Sequence, residues 1–343
     1  MLILDFSQAK FNLNHIKPTT DFEQSVVDFL VNWFDASTRM QVQTSGSTGT
    51  PKQIELTKEN MRKSARMTCK YLKLSKGDTA LLAMPVSYIA GKLMLVRAIE
   101  IGLKLICVEP TSTLNWMDFN SQFNSIDFVA LTPMQVEHSL DFVSHCNKLI
   151  IGGAPLSEKV KKQLALMTNE VYETYAMTET ITHIAFKQVA NKKYTSSNLF
   201  EAFEEVNIKQ DERGCLIIET PYDNLTITTN DIVELVNERC FNWIGRADNI
   251  INSGGIKLFP EQIEEILKPY INTAFFVIGK KDETLGEKLV LVIEGNPQKI
   301  ALENVPLTRY QKPKEIIFVE QFPRTESGKI QRNKINLNQS KSN

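Results

Sequence analysis

No two of the five cysteines (Cys69, Cys107, Cys146, Cys215, Cys240) form a C-x-x-C, and their number is odd. Neither a disulfide framework nor a thiolate zinc site is suggested, and a reducing cytoplasm suits the pattern. A basic excess is also missing: 39 Lys and Arg against 40 Asp and Glu leave a net charge of −1. General binding to nucleic acid or to an anionic membrane needs a cationic surface, so neither is expected, although local basic patches stay open. No apolar run approaches a membrane span, and the opening MLILDFSQAK lacks the basic lead and apolar length of a secretory signal. The expectation is a soluble cytoplasmic protein without stable membrane anchoring. Absent too are the Gly-Lys-Ser/Thr ending of a Walker loop, a G-x-G-x-x-G turn and a G-x-S-x-G elbow, which removes P-loop, dinucleotide-fold and serine-hydrolase readings.

What is present is an ordinary globular balance, 42% apolar and 23% charged over 343 residues, enough for two domains with full cores. One stretch departs from it. TSGSTGTPKQ, residues 44–53, carries two glycines, a lysine and a run of hydroxyl side chains. Thr44, Ser45, Gly46, Ser47, Thr48 and Gly49 offer nothing apolar to bury, and glycine makes ordering costly. Inward-turned N–H groups, hydroxyl donors and the compact charge of Lys52 suit the oxygens of a phosphate chain. A polar surface turn is the plainer alternative.

Along the chain, TDFEQSVVDFLVNWF opens with Thr20 and Glu23 spaced as a capping box and places Phe22, Val26, Leu30 and Trp33 on one helical face. Thr57 is expected to cap a second helix carrying Met61, Ala65, Thr68, Cys69 and Leu72. Short apolar runs then alternate with helical periodicity: TALLAMPV, KLMLVRAIE, KLICVE, WMDFNSQF, FVALT, QVEHSLDFV, KLIIGG, EKVKKQLALM, EVYETYA. This is the pattern of βαβ units around a buried parallel sheet, whose ligands gather beyond the strands' carboxyl ends. GGAPL (152–156) and YAMTET (175–180) fall there. Beyond Ala185 the runs GCLIIET, LTITTND, IVELV and RCFNWIG read as short strands, and GRADNIINSGG marks a bendable boundary before a helix starting near Pro260. The expected fold is α/β: residues 1–246 form a large N-terminal domain with a doubly wound parallel sheet plus a β-rich part. Residues 247–343 form a small mobile α+β domain.

TSGSTGTPK, GGAPL, YAMTET, TTND, GRADNIINSGGIK and PRTESGKI, six motifs in order from residue 44 to 330, resemble the core motifs of the acyl-adenylate-forming enzymes. These are the acyl-CoA synthetases, peptide-synthetase adenylation domains and luciferases. The resemblance implies that the opening loop grips the β- and γ-phosphates of ATP, although Gln53 stands where many members have glycine. It implies that Gly152, Gly153 and Ala154 lie against adenine, that Tyr175 stacks on it, and that Thr178 and Glu179 hold phosphate and Mg2+. Asp231 would accept the ribose hydroxyls, with Asn230 replacing the usual glycine before it. Arg246 would lie near the nucleotide, Asp248 at the hinge, and Lys257 where arginine is common. Lys329 would reach the attacking carboxylate and the α-phosphate. The implied reaction is acyl-adenylate formation followed by transfer to coenzyme A after the small domain turns.

The phosphate loop begins at residue 44, earlier than in typical members, and MPVSYIAGKLMLVRAIE replaces a proline, aromatic and histidine pattern. In this the chain is similar to the o-succinylbenzoate–CoA ligases of menaquinone biosynthesis. A second carboxylate on such a substrate wants a cation. Lys92 and Arg97 are candidates, each equally readable as a solvated helix residue, and His183 is a pocket candidate equally readable as packed or surface. A different acid, a carrier-protein acceptor or a catalytically silent nucleotide-binding relative remain open, as does the oligomeric state.

Overall fold

A computed structural model describes residues 1–9, 11–43, 53–154, 156–177, 179–190, 199–324, 330–335 and 341–342. They fall into two compact units, one built from residues up to Asn207 together with Glu219–Ile227, the other from Ile208–Ile218 and from Thr228 onward. The grouping places the strands just before residue 246 with the later unit.

In the first unit the elements run β1 (Leu2–Asp5), α1 (Asp21–Phe34), β2 (Arg39–Gln43), β3 (Gln53–Thr57), α2 (Lys58–Tyr71), β4 (Thr79–Leu82), α3 (Ile89–Ile101), β5 (Lys104–Cys107), β6 (Ile126–Leu131), α4 (Pro133–His138), α5 (Leu140–Ser144), β7 (Cys146–Ile151), α6 (Glu158–Leu164), β8 (Glu170–Ala176), β9 (His183–Ala190) and β10 (Phe200–Ala202). The sheet order is β1-β5-β4-β6-β7-β8-β9-β10. From β5 to β8 every pairing is parallel, while β1 and β9 run antiparallel to their neighbours. The order reverses between β4 and β6, which is the doubly wound arrangement and its switch point. Strands β4 to β7 are apolar nearly throughout because both faces are covered; Leu81, Ile106, Val129 and Leu149 are fully buried, each contributing about 1.5–3 kcal/mol.

The helix starts follow local chemistry. Thr20 Oγ1 accepts from Glu23 N at 3.2 Å, but the Glu23 carboxylate returns to Thr19, taking its N–H and its hydroxyl at 2.8 Å each. The capping box is thus displaced by one residue. Thr57 Oγ1 accepts from Asn60 N at 3.2 Å, and the five residues expected on the inner face of α2 are all buried. Two expected helices differ. WMDFNSQF forms only a 3-10 turn, Trp116–Asp118, because Trp116 stacks on His145 at 4.4 Å and Phe119 packs on Phe142, side-chain anchors that replace a continuous helical stripe. QVEHSLDFV becomes α4 and α5, broken at Ser139, whose hydroxyl accepts from Leu114 N at 2.8 Å.

The second unit contains β11 (Asn207–Gln210), β12 (Cys215–Glu219), β13 (Thr226–Leu235) and β14 (Cys240–Arg246), in the order β14-β13-β12-β11. LTITTND and IVELV are one strand, β13, with a bulge between Ile232 and Val233 that hides its continuity in the sequence. Then follow β15 (Ile251–Ser253), β16 (Ile256–Leu258), α7 (Pro260–Leu267), β17 (Phe275–Asp282), β18 (Gly286–Glu294), β19 (Glu315–Val319) and β20 (Lys341–Ser342). Helix α7 buries Ile263 and Leu267 against Val277, Leu289 and Leu291.

Candidate active site

Thr44, Ser45, Gly46, Ser47, Thr48, Gly49 and Lys52, together with Thr178 and Lys329, lie outside the described residues. Their flanks are described. Strands β2 and β3 pair antiparallel down to Gln43↔Gln53, so the expected phosphate loop joins the two ends of one hairpin.

Beyond the carboxyl end of β7, Gly152 donates its N–H to Leu131 O at 3.2 Å. A Cβ there would stand 2.6 Å from Thr174 Oγ1, and Gly153 has φ +94°. Glycine is favoured at 153 by the left-handed backbone and at 152 by the close approach of the Thr174 side chain. Ala154 is exposed. Buried Glu173 ties this turn down, accepting from Leu156 N at 3.1 Å and pairing with Lys187 at 2.6 Å. Tyr175 is buried edge-on to Phe200 at 5.8 Å. Glu179 is exposed, in a turn that Thr180 organises: its buried hydroxyl accepts from Met177 N at 3.3 Å and donates to Thr182 O at 2.6 Å. Next to it Ile181 takes φ +67°, costly for a β-branched residue. Glu173, Thr180 and Ile181 were not singled out from the sequence; a glutamate inside an apolar strand was the one available signal.

The candidates for a second carboxylate separate. Lys92 is half-buried and donates to Gln41 O at 2.6 Å, lining a cleft of about 470 Å³ with Asp28, Ser87 and Gln41. Arg97, by contrast, is enclosed, 2% exposed, so it is not a solvated helix residue. Its Nη1 reaches Met94 Sδ at 3.5 Å, its Nε has no acceptor, and it forms no salt bridge among the described residues. Burial pulls its pKa from 12.5 down to about 10. His183 is buried nearby, and burial, with the Arg97 charge, holds its pKa well below the usual histidine value. The Thr68 hydroxyl lies 3.1 Å from Ser64 O and 2.8 Å from His183 Nε2. His183 Nδ1 meets Thr182 Oγ1 at 3.3 Å, so both ring nitrogens face a hydroxyl that can donate or accept. The Tyr222 hydroxyl adjoins Ser64 and Arg97. The result, among the described residues, is a buried guanidinium without a salt-bridge partner, set among neutral polar groups.

In the second unit Asp231 is buried on β13, opposite Arg246 on β14. Arg246 lies 3.6 Å from Asp231 and 2.9 Å from Asp248. Asn230 is not among the residues with positive φ, so the backbone does not need glycine there. Its amide donates to Asp248 at 3.3 Å and accepts from Arg213 at 3.1 Å. Gly254 and Gly255, at φ +57° and +81°, close the β15–β16 hairpin, beyond which Lys257 is exposed on β16. The chain on either side of 325–329 is anchored. Arg324 and Ile330 form an antiparallel bridge, and Gln331 N donates to Pro323 O at 2.8 Å. Glu294 accepts from Phe322 N at 2.7 Å and pairs with Arg324. Arg332 pairs with Glu264 at 2.8 Å while lying over Phe276.

Among the described residues no group of three His, Cys, Asp or Glu is placed to hold a metal ion, and no helix is long and apolar enough to cross a membrane. A single exposed carboxylate such as Glu179 nevertheless fits Mg2+, which keeps most of its waters and uses one or two carboxylates beside substrate phosphates.

Residues 37–217 match the AMP-binding enzyme family. The chain is 29% identical over 354 residues to the 2-succinylbenzoate–CoA ligase of Listeria monocytogenes serovar 1/2a, covering 94% of this chain and 74% of that protein. It is 27% identical to that of Staphylococcus epidermidis, covering 97% and 77%. Among solved structures, an acyl-CoA synthetase (AMP-forming)/AMP-acid ligase II-like protein from Dyadobacter fermentans is 35% identical with a TM-score of 0.64, covering 93% of this chain and 95% of that one. The o-succinylbenzoate CoA synthetase of Bacillus subtilis in complex with an acyl-adenylate intermediate has the same fold at 20% identity, TM-score 0.69, with 86% and 68% covered. With more than half its length matched, and a structural relative above 30% identity over nearly its whole length, the chain belongs to the AMP-binding enzymes.

Proposed function

We propose that this chain is an ATP-dependent, AMP-forming carboxylate–CoA ligase that takes o-succinylbenzoate to its CoA thioester through an acyl-adenylate, as in menaquinone biosynthesis. The observation that carries the substrate reading is Arg97, a buried guanidinium without a carboxylate partner among the described residues. The names of the curated relatives support the same acid.

The acid's reacting carboxylate attacks the α-phosphorus of ATP, the bond to the β-phosphate oxygen breaks, and pyrophosphate leaves. Positioning and charge neutralisation account for most of the rate in such transfers. Thr44–Gly49 and Lys52 bind the leaving phosphates, Asp231 takes the ribose hydroxyls, and Gly152–Ala154 with Tyr175 receive the base. Lys257 and Arg246 add positive charge near the nucleotide. Glu179, with Thr178, would hold Mg2+, whose chemistry is to neutralise charge on the phosphate oxygens. Lys329 places its ammonium between the attacking carboxylate and the α-phosphate. The segment from residue 247 turns about Asp248, withdrawing Lys329 before the coenzyme A thiol attacks the mixed anhydride and expels AMP. Arg97, with His183 neutral beside it, orients the carboxylate that does not react.

Pyrophosphate and AMP release are measured with ATP, Mg2+ and a panel of acids, with and without coenzyme A. Release with succinylbenzoate, and thioester only when coenzyme A is present, is the expected result. Release with simple aliphatic acids but not succinylbenzoate overturns the substrate assignment, and release with none overturns the activity.

A further inference from the structure

We infer that Arg213 and Asn230 are positioning residues that form a tether on Asp248 and thereby set how readily the chain pivots there. The inference rests on the proposed turn of the segment from residue 247, and all residues of the tether belong to the second unit.

The tether starts at a rigid anchor. In the turn between β11 and β12, Asp211 Oδ1 accepts from the backbone N–H of Arg213 at 2.8 Å and of Cys215 at 2.9 Å. Its Oδ2 takes Arg213 Nε at 2.8 Å and Nη2 at 2.7 Å. The guanidinium, so aimed, donates to Thr229 O at 3.3 Å and to Asn230 Oδ1 at 3.1 Å. Asn230 Nδ2 then donates to Asp248 Oδ2 at 3.3 Å, the oxygen that also accepts from Arg246 Nη2 at 2.9 Å.

The chemistry of the bridging residue is specific. A guanidinium only donates and a carboxylate only accepts, so a group between them needs an acceptor on one side and a donor on the other, which a primary amide supplies. Glycine, the residue expected at this place from the resemblance, supplies neither. Aspartate keeps the bond to Arg213 but turns a second negative charge toward Asp248. Because the bonds are exposed they are individually weak, as a contact that breaks in every turnover must be; they bias a pivot without locking it.

Asn230→Gly, Asn230→Asp and Arg213→Ala are each compared with the wild-type chain in two assays. Amide hydrogen exchange over residues 247–253 reads the pivot directly, without ligase activity. The rate of thioester formation from supplied acyl-adenylate, divided by the rate of adenylate formation, reads its use in the reaction. Asn230→Gly and Asn230→Asp are expected to speed exchange about two- to five-fold, the range of an exposed charge-assisted pair, and to raise the ratio by a similar factor. Arg213→Ala moves both in the same direction by less. Exchange unchanged in both Asn230 variants overturns the tether. Faster exchange with an unchanged ratio overturns its part in the reaction. A wild-type chain that forms no adenylate overturns the proposed function instead, while exchange still decides the tether.

Discussion

The role proposed for Arg97 sets substrate binding against stability at a single residue. A guanidinium enclosed without a carboxylate partner, as Arg97 is among the described residues, raises the free energy of the folded state, and removing a buried charge in favour of an apolar side chain of similar length is neutral or stabilising by about 1–4 kcal/mol. Arg97→Met is therefore expected to raise the midpoint of urea unfolding, or leave it unchanged, while raising the KM for a dicarboxylic acid far more than that for ATP. A lowered midpoint together with an unchanged KM would remove Arg97 from substrate recognition. His183 gives a pH dependence with a definite sign. Burial first, and Arg97 second, hold it neutral in the fold, whereas the unfolded chain takes up a proton below about pH 6.5. The stability it contributes is full above that pH and is lost as pH falls toward the depressed folded value, by up to about 1.4 kcal/mol per pH unit. Urea titrations between pH 7.5 and 5 should show this slope, and His183→Gln should flatten it. Residue type named Arg97 and His183 as candidates but did not separate a pocket residue from a solvated or packed one, since arginine on a helix is usually solvated. The available signal was the helix itself: Leu93–Val96 and Ala98, all buried, flank Arg97 in a nearly unbroken apolar run, a wider apolar surface than a helix with one core-facing stripe carries.

Among the elements, α3 depends on one close approach. A Cβ on Gly91 would stand 2.3 Å from Pro85 O and 2.8 Å from Pro85 C, both backbone atoms that cannot swing aside. Gly91→Ala should cost at least about 2 kcal/mol through overpacking, seen as a lower unfolding midpoint; a change under about 0.5 kcal/mol would mean that the Pro85 turn yields. Periodicity made most elements legible. The buried faces of α1 and α2 follow from apolar spacing, which marks one covered side, and the parallel strands from short continuous apolar runs, which mark two. What escaped was wherever long-range contacts overrode local pattern. Trp116 and Phe119 have helical spacing yet anchor a turn, Ser139 breaks one periodic segment into two helices to satisfy Leu114 N, and a bulge after Ile232 makes one strand look like two.

For the whole molecule, the two half-reactions offer the sharpest separation. Lys329→Ala should reduce adenylate formation by at least about a hundred-fold, the scale of losing one preorganised charge at a developing anion, yet spare thioester formation from supplied acyl-adenylate; equal damage to both would refute the assigned role. The motifs that point to this chemistry stand out in the sequence because close approach at Gly152, a left-handed backbone at Gly153 and charge at Asp231 restrict residue choice. The supporting residues, Glu173, Glu264 and Arg213, do not, because a carboxylate or guanidinium that props a turn has no distinguishing neighbours in the sequence. The outermost strand constrains synthesis of the chain. Leu2–Asp5 pairs with Lys104–Cys107, about a hundred residues away. At ribosomal speeds of roughly 5–20 residues per second it waits on the order of 5–20 s for its mate, so a nascent chain must keep LILD shielded from its neighbours until β5 has been synthesised.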